Sequence, residues 1–191
     1  MTGTRATSAE ETLFASVQTL RIEPGYRSML ANEKVSARED YLRAFDRGAE
    51  HVRTGAYALS GLAHGSDILV LRATHRIEDL HAATSLVSEA GLGRHLTPTS
   101  VTLGTMAEMP GPAGRFAVVV PLADAPPASA VPAGARMALI DGRGLGAVPF
   151  TAVLEGDDPL MGRRFLAGGL KAVGPVVLGL RAEVRDIVDH L

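Results

Sequence analysis

The order of apolar runs constrains this chain most. Within the first 106 residues it reads strand, helix, strand, strand, helix, strand, an arrangement that few folds accommodate. Thr12 to Ile22 alternates loosely, with Leu13, Ala15 and Val17 set against Phe14, Leu20 and Ile22, and reads as a strand that Glu23-Pro24-Gly25-Tyr26 breaks. Ser36-Ala37-Arg38-Glu39 has the form of a capping box, a hydroxyl followed three residues later by a carboxylate. From there Ala37, Tyr41, Ala44, Phe45, Gly48 and Val52 fall on one helical face, while Glu39 and Arg43 form a pair on the solvated side. Ala56 to Leu62 and Asp67 to Ala73 are strand-like runs joined at Ala63-His64-Gly65-Ser66. Thr74 is placed to cap a helix whose apolar stripe is Ile77, Leu80, Ala83, Val87 and Ala90, with Gly91 where a left-handed terminator is wanted. Thr97-Pro98 then turns the chain into a strand from Ser100 to Met106. This order predicts a ferredoxin-like unit, an antiparallel sheet covered on one face by two helices.

The remainder repeats the pattern with one piece missing. Phe116 to Leu122 is a very apolar strand, but the Pro- and Ala-rich stretch from Ala123 to Ala135 reads as loop where the first helix should be. Arg136 to Asp141 and Ala147 to Leu154 form a second hairpin, Leu160 to Ala172 a helix, Val176 to Val184 a last strand and Arg185 to Leu191 a short tail. The expected organisation is a frayed N-terminus over 1–11, a ferredoxin-like half over 12–106, a Pro/Gly linker over 107–115, and a reduced second half over 116–191. The fold class expected is α+β, of the dimeric α/β-barrel type, with the second half lacking one helix. Such sheets leave a face to bury, so a homo-oligomer or hetero-oligomer through sheet faces is expected.

Composition narrows the chemistry. With 191 residues and 46% hydrophobic content the chain can bury a real core unaided. It has no cysteine, which removes disulfides, thiolate metal sites and cysteine nucleophiles and leaves the redox compartment unread. A net charge of −2, 4% aromatics and no tryptophan give no basis for nucleic-acid binding. Met1 to Leu20 lacks the pattern of a secretory leader, and no apolar run nears the roughly 20 residues of a membrane helix. A cytoplasmic protein with no nucleic-acid or membrane partner is expected.

Three groups of residues are candidates for chemistry. His64, His75, His81 and His95 lie within one stretch. His75 and Asp79, four apart on an expected helix, have a spacing that can hold a metal, so His75 and His81 are the candidate metal ligands, with surface or hydrogen-bonded histidines as the plainer reading. Gly142-Arg143-Gly144-Leu145-Gly146 follows a strand, but a strand rather than a helix comes after it. A hairpin turn is therefore favoured over a phosphate loop. Arg163 and Arg164 stand side by side and, with Arg136, are candidates to bind an anionic ligand through bidentate hydrogen bonds.

Tyr57-Ala-Leu-Ser-Gly-Leu-Ala-His-Gly-Ser-Asp-Ile-Leu-Val-Leu-Arg72, the helix after it, and Gly91-Leu-Gly-Arg-His-Leu-Thr-Pro-Thr-Ser-Val-Thr-Leu103 together resemble the N-terminal half of the chlorite dismutase and coproheme decarboxylase superfamily. The resemblance lies in the order and spacing of elements over about residues 12–106. It implies a barrel of two ferredoxin-like halves, oligomeric assembly, and haem or another iron porphyrin as cofactor. It also places the family's functional residues in the second half. There Val120 stands at the position of the decarboxylases' tyrosine and Ala123 close to that of the chlorite-degrading enzymes' arginine. The helix that carries the family's iron-ligating histidine corresponds to Ala125 to Ala135, which contains no histidine. The expected functions are thus a divergent chlorite dismutase-like protein, a candidate to bind haem or another iron porphyrin although the family's usual catalytic and iron-ligand residues are missing, a non-catalytic assembly or interaction subunit that kept the barrel, or a cofactor-independent enzyme using the barrel cavity; haem and no cofactor are equally open.

Overall fold

The computed structural model describes residues 12–109 and 113–191. The expected frayed segment 1–11 lies outside the described residues, as does part of the expected linker. Eight strands close into one antiparallel barrel: β1 (Leu13–Ile22), β2 (Arg53–Ala58), β3 (Ile68–Thr74), β4 (Leu96–Met106), β5 (Phe116–Leu122), β6 (Arg136–Asp141), β7 (Phe150–Gly156) and β8 (Val177–Arg181). Around the barrel the order is β1-β3-β2-β8-β5-β7-β6-β4. Each ferredoxin-like half contributes four neighbouring strands in the same internal order, β4-β1-β3-β2 and β8-β5-β7-β6. The halves meet at two seams, and both are thinly paired. At the β2–β8 seam only Tyr57↔Arg181 and Ala58↔Leu180 are in register, and at the β4–β6 seam only Thr105↔Asp141.

Alternation along the strands sends one set of side chains into the barrel. Leu13, Ala15, Val17, Leu69, Leu71, Ala73, Ala117, Val119, Ala138, Ile140 and Val153 fill the interior as a packed core. The opposite set faces outward beneath the helices. Over the first half lie α2 (Ala31–Ala49) and α3 (Ile77–Ser88), with a one-turn helix α1 (Pro24–Arg27) ahead of them. The predicted face of α2 is the buried one, including Ala37, Tyr41, Ala44, Phe45 and Gly48. Over the second half lies α4 (Met161–Ala167), and among the described residues no long helix covers the other position; residues Ala128–Ala130 form a single 3-10 turn there. All seven residues of β3 are buried because the barrel core lies beneath them and the helices above.

Several local expectations are corrected. Helix α2 starts at Ala31, before Ser36, because Glu33 reaches back to accept a hydrogen bond from the Leu30 backbone N–H at 3.0 Å and supplies the cap. Tyr26 lies within a helical turn, not a break. Thr74 ends β3 and α3 begins after Arg76. The expected helix over 160–172 stops at Ala167, where the glycine pair Gly168-Gly169 follows and Gly169 takes a φ of 88°. The expected tail is instead helix α5 (Val184–Asp189), which buries Ile187 and Val188 in the core beneath α2.

The glycine-rich stretch is a hairpin turn, as the following strand suggests. Asp141, just before it, pairs with Arg143 within it at 2.6 Å, and the Arg143 guanidinium lies 4.8 Å from the centre of the Phe150 ring. Arg143 holds the exposed Asp141 carboxyl down at about 2. Gly146 has a structural reason to be glycine: a Cβ there would lie 2.5 Å from the carbonyl oxygen of Leu103, so only a bare backbone can close against β4 at the thin seam.

Burial also sets a pH dependence. Tyr41 is fully buried, and loss of solvation raises its hydroxyl to about 12 against a nearby opposing effect of Arg72. Burial and the hydrogen bond to Glu155 likewise push Tyr57 upward. The folded state therefore keeps protons that the unfolded chain releases. This stabilisation is complete below the ordinary tyrosine value of 10 and is lost as pH rises through the folded value, by about 1.4 kcal/mol per pH unit for each group. Urea midpoints are expected to fall steeply above pH ~10 and to fall less steeply in Tyr41→Phe.

Candidate functional site

The most strongly polar feature of the barrel interior is at the β2–β8 seam. Tyr57 on β2 and Glu155 on β7 both point inward, and the Tyr57 hydroxyl donates a short hydrogen bond to Glu155 Oε1. Glu155 is 3% exposed, and its second oxygen, Oε2, has no partner among the described residues. A buried carboxylate oxygen without a donor costs free energy, so it calls for a ligand or for a functional reason to persist.

A cavity of about 200 Å³ opens onto this pair. It exists because β2 and β8 separate after two register pairs. Beyond Tyr57 the edge of β2, from Thr54 to Ala56, faces the cavity instead of a strand. Helix α2 closes one side with Phe45 and Asp46, Met109 closes another, and Arg181 and Glu183 stand where β8 gives way to α5. The wall thus carries three carboxylates, Asp46, Glu155 and Glu183, and one guanidinium, Arg181. Arg181 is near enough to Tyr57 to oppose the upward shift of its hydroxyl. Such a wall can accept a protonated amine at the deep carboxylate and still anchor an anionic group at the rim.

The candidate residues named from sequence are dispersed. Arg136 is the register partner of Glu155 on β6, exposed at the same end of the barrel but outside the cavity wall. Arg163 and Arg164 are exposed on α4, and Arg164 pairs with Asp158 at 2.8 Å. His75 precedes α3, so it does not share a helix with Asp79; His81 lies on the exposed side of α3 and borders a cleft beside Ser16. Among the described residues no three His, Asp or Glu side chains come together as a metal set. Sequence spacing gives no reason to pair Tyr57 with Glu155. They are separated by 98 residues, and the one signal was Glu155 itself, a carboxylate ending an otherwise apolar strand.

The outer face of the second-half sheet is where the sequence resemblance implies a porphyrin. Val118, Val120, Leu122, Ala152 and Leu154 line that face and pack directly on Met161 and Phe165 of α4. Helix and strand are close enough that a Cβ on Gly162 would lie 2.7 Å from Val118 Cγ1. The donor set contains no imidazole. His190, the single histidine after residue 115, sits at the end of α5 with Nδ1 2.6 Å from the carbonyl oxygen of Asp186. The residues present do not fit a histidine-ligated iron porphyrin on this face.

No protein-family model matches the chain, and no curated protein is detectably similar to it in sequence. Solved structures do match. An arginine-to-lysine variant of chlorite dismutase from Candidatus Nitrospira defluvii superposes with a TM-score of 0.82 at 14% identity, over 96% of each chain. The same enzyme in complex with imidazole gives a TM-score of 0.79 at 14% identity, again over 96% of each chain. A variant in complex with cyanide gives 0.80 at 16% identity over 96% of this chain and 95% of that one. The likeness runs through the second half as well as the first. Among the described residues no helix is long and apolar enough to cross a membrane. By its two ferredoxin-like halves, its closed eight-stranded barrel and these superpositions, the chain has the fold of the chlorite dismutases.

Proposed function

We propose that this chain uses the chlorite dismutase fold without a histidine-ligated iron porphyrin, and that its ligand is a small protonated amine or zwitterion held in the β2–β8 seam cavity. The observation that carries the reading is the unpartnered, buried Oε2 of Glu155 at the wall of that cavity. An ammonium group supplies the missing donors, and Arg181 takes a carboxylate where the ligand has one. Tyr57 holds the Glu155 carboxylate through Oε1, which leaves Oε2 as the acceptor without a donor.

The test is a calorimetric titration of the full chain with ethylamine, glycine and acetate. Ethylamine and glycine are expected to bind saturably, with affinity reduced about tenfold or more in Glu155→Gln. Glycine alone should weaken in Arg181→Gln. Equal binding of acetate and ethylamine, or unchanged affinity in Glu155→Gln, contradicts the reading.

An assembly role rests on a different observation. Leu160, Val173, Val176 and Leu180 are large, apolar and exposed, all in the second half where a covering helix is lacking. Self-association through this stretch is proposed. Light scattering is expected to show an oligomer that Val173→Glu/Val176→Glu shifts toward monomer; a wild-type monomer at all concentrations contradicts it.

A further inference from the structure

The outer face of the first-half sheet holds a charge without a counter-charge. Arg72 sits in the middle of β3, 3% exposed, between Ser16 and Thr54 in register. One guanidinium nitrogen donates to Gln18 Oε1 at 2.8 Å. Among the described residues Arg72 has no other hydrogen-bond partner and no carboxylate within ion-pairing distance. Two further buried polar atoms in this layer, Ser16 Oγ and Tyr41 Oη, are also without partners. Burial lowers the pKa of Arg72 from the ordinary arginine value, yet a guanidinium remains charged at neutral pH. A buried, uncompensated cation beside two idle hydroxyls is costly and is retained only where something satisfies it.

Two neighbouring pockets lie beside this group. A cleft of about 310 Å³ lies between α3 and the strands β1 and β4, with Ile77, Leu80, Val101 and Leu103 on its walls. Gln18 and Thr84 line it and also line a neighbouring pocket of about 80 Å³, whose wall includes Arg72 and Tyr41. The outer walls are apolar yet wet, since Val101 is 54% and Ile77 37% exposed. The neighbouring pocket offers one positive charge, Arg72, and the hydroxyls of Tyr41, Thr84 and Ser88. A single guanidinium matches one negative charge; a dianion would leave half its charge uncompensated.

We propose that this cleft is a second ligand site, distinct from the seam cavity, for a small monocarboxylate with an apolar tail. The carboxylate pairs with Arg72, and the tail lies against Ile77, Leu80, Val101 and Leu103. Nothing in this assignment depends on what binds at Glu155.

Calorimetric titration of the full chain with acetate, butyrate, hexanoate and octanoate tests it, with octanamide as the uncharged control. Affinity is expected to rise with tail length, and octanamide to bind at least about tenfold more weakly than octanoate. Arg72→Gln is expected to abolish the preference for octanoate over octanamide. Because a buried substitution can disturb folding, Val101→Asp is the companion variant: it is exposed, should leave the circular dichroism spectrum unchanged, and should weaken octanoate about tenfold by repulsion at the mouth. Glu155→Gln should leave octanoate binding intact, which separates this site from the seam. Absence of octanoate binding at millimolar concentration, octanamide binding as tightly as octanoate, or unchanged octanoate affinity in Val101→Asp overturns the proposal.

Discussion

Replacing Phe165 by alanine is expected to lower the free energy of unfolding by about 3–5 kcal/mol, the largest single-residue effect in the second half. Phe165 is fully buried and belongs to the cluster formed by Val118, Val120, Leu122, Phe150, Leu154 and Met161. Helix α4 has seven residues, and Met161, Gly162 and Phe165 are the ones it buries. Few other contacts can take up the loss, and the cavity left behind has a strand on one side that cannot collapse far, being hydrogen-bonded along β7 and β8. Urea denaturation monitored by far-ultraviolet circular dichroism gives the value. The result bears on function, because the same face would have to open to admit a flat ligand. A loss below about 1 kcal/mol would mean that α4 packs loosely in solution and that the face is available after all.

The second large effect is at Tyr57. Tyr57→Phe removes the donor to Glu155 and leaves both carboxylate oxygens buried without a partner, for an expected loss of about 1–3 kcal/mol. The informative variant is the double one. Tyr57→Phe/Glu155→Leu replaces the whole polar pair by apolar groups of similar volume, and it is expected to match or exceed the wild-type stability. A pair that costs stability when present and is nevertheless built into the centre of the barrel has the character of a binding site rather than a structural bond. If the double variant is less stable than Tyr57→Phe alone, the pair is structural and the seam cavity loses its claim.

Sequence order revealed the fold because it depends on local signals. The alternation in β1, the apolar face of α2 and the turn residues at Gly91 and Thr97-Pro98 each act within a few residues, and together they specify a ferredoxin-like half. The missing helix in the second half was equally legible from the prolines and alanines between Ala123 and Ala135. The start of α2 was not, because its cap comes from Glu33 acting on a leucine position that no capping preference marks. Helix α5 was too short to show a periodicity of its own and is held by packing beneath α2.

The candidate site was far less legible, for a topological reason. Barrel closure brings β2 and β8 together across the two halves, and the separation of those strands after Ala58 is set by register, which no residue type announces. Arg72 is a different case. It interrupts a run of buried apolar residues in β3, and a charge there was a signal readable from Ile68-Leu-Val-Leu-Arg72 alone. Arg163 and Arg164 are adjacent in sequence but remain on the surface of α4.

The proposed seam site leaves no role for the iron porphyrin that the sequence resemblance implies. The direct measurement is an absorbance titration of the purified protein with haem and with iron coproporphyrin, following the main porphyrin band. No saturable, stoichiometric shift is expected, and the same weak, non-saturating response is expected in His190→Ala as in the wild type. A one-to-one shift that a single His→Ala substitution abolishes would establish an iron site elsewhere in the barrel and contradict the account.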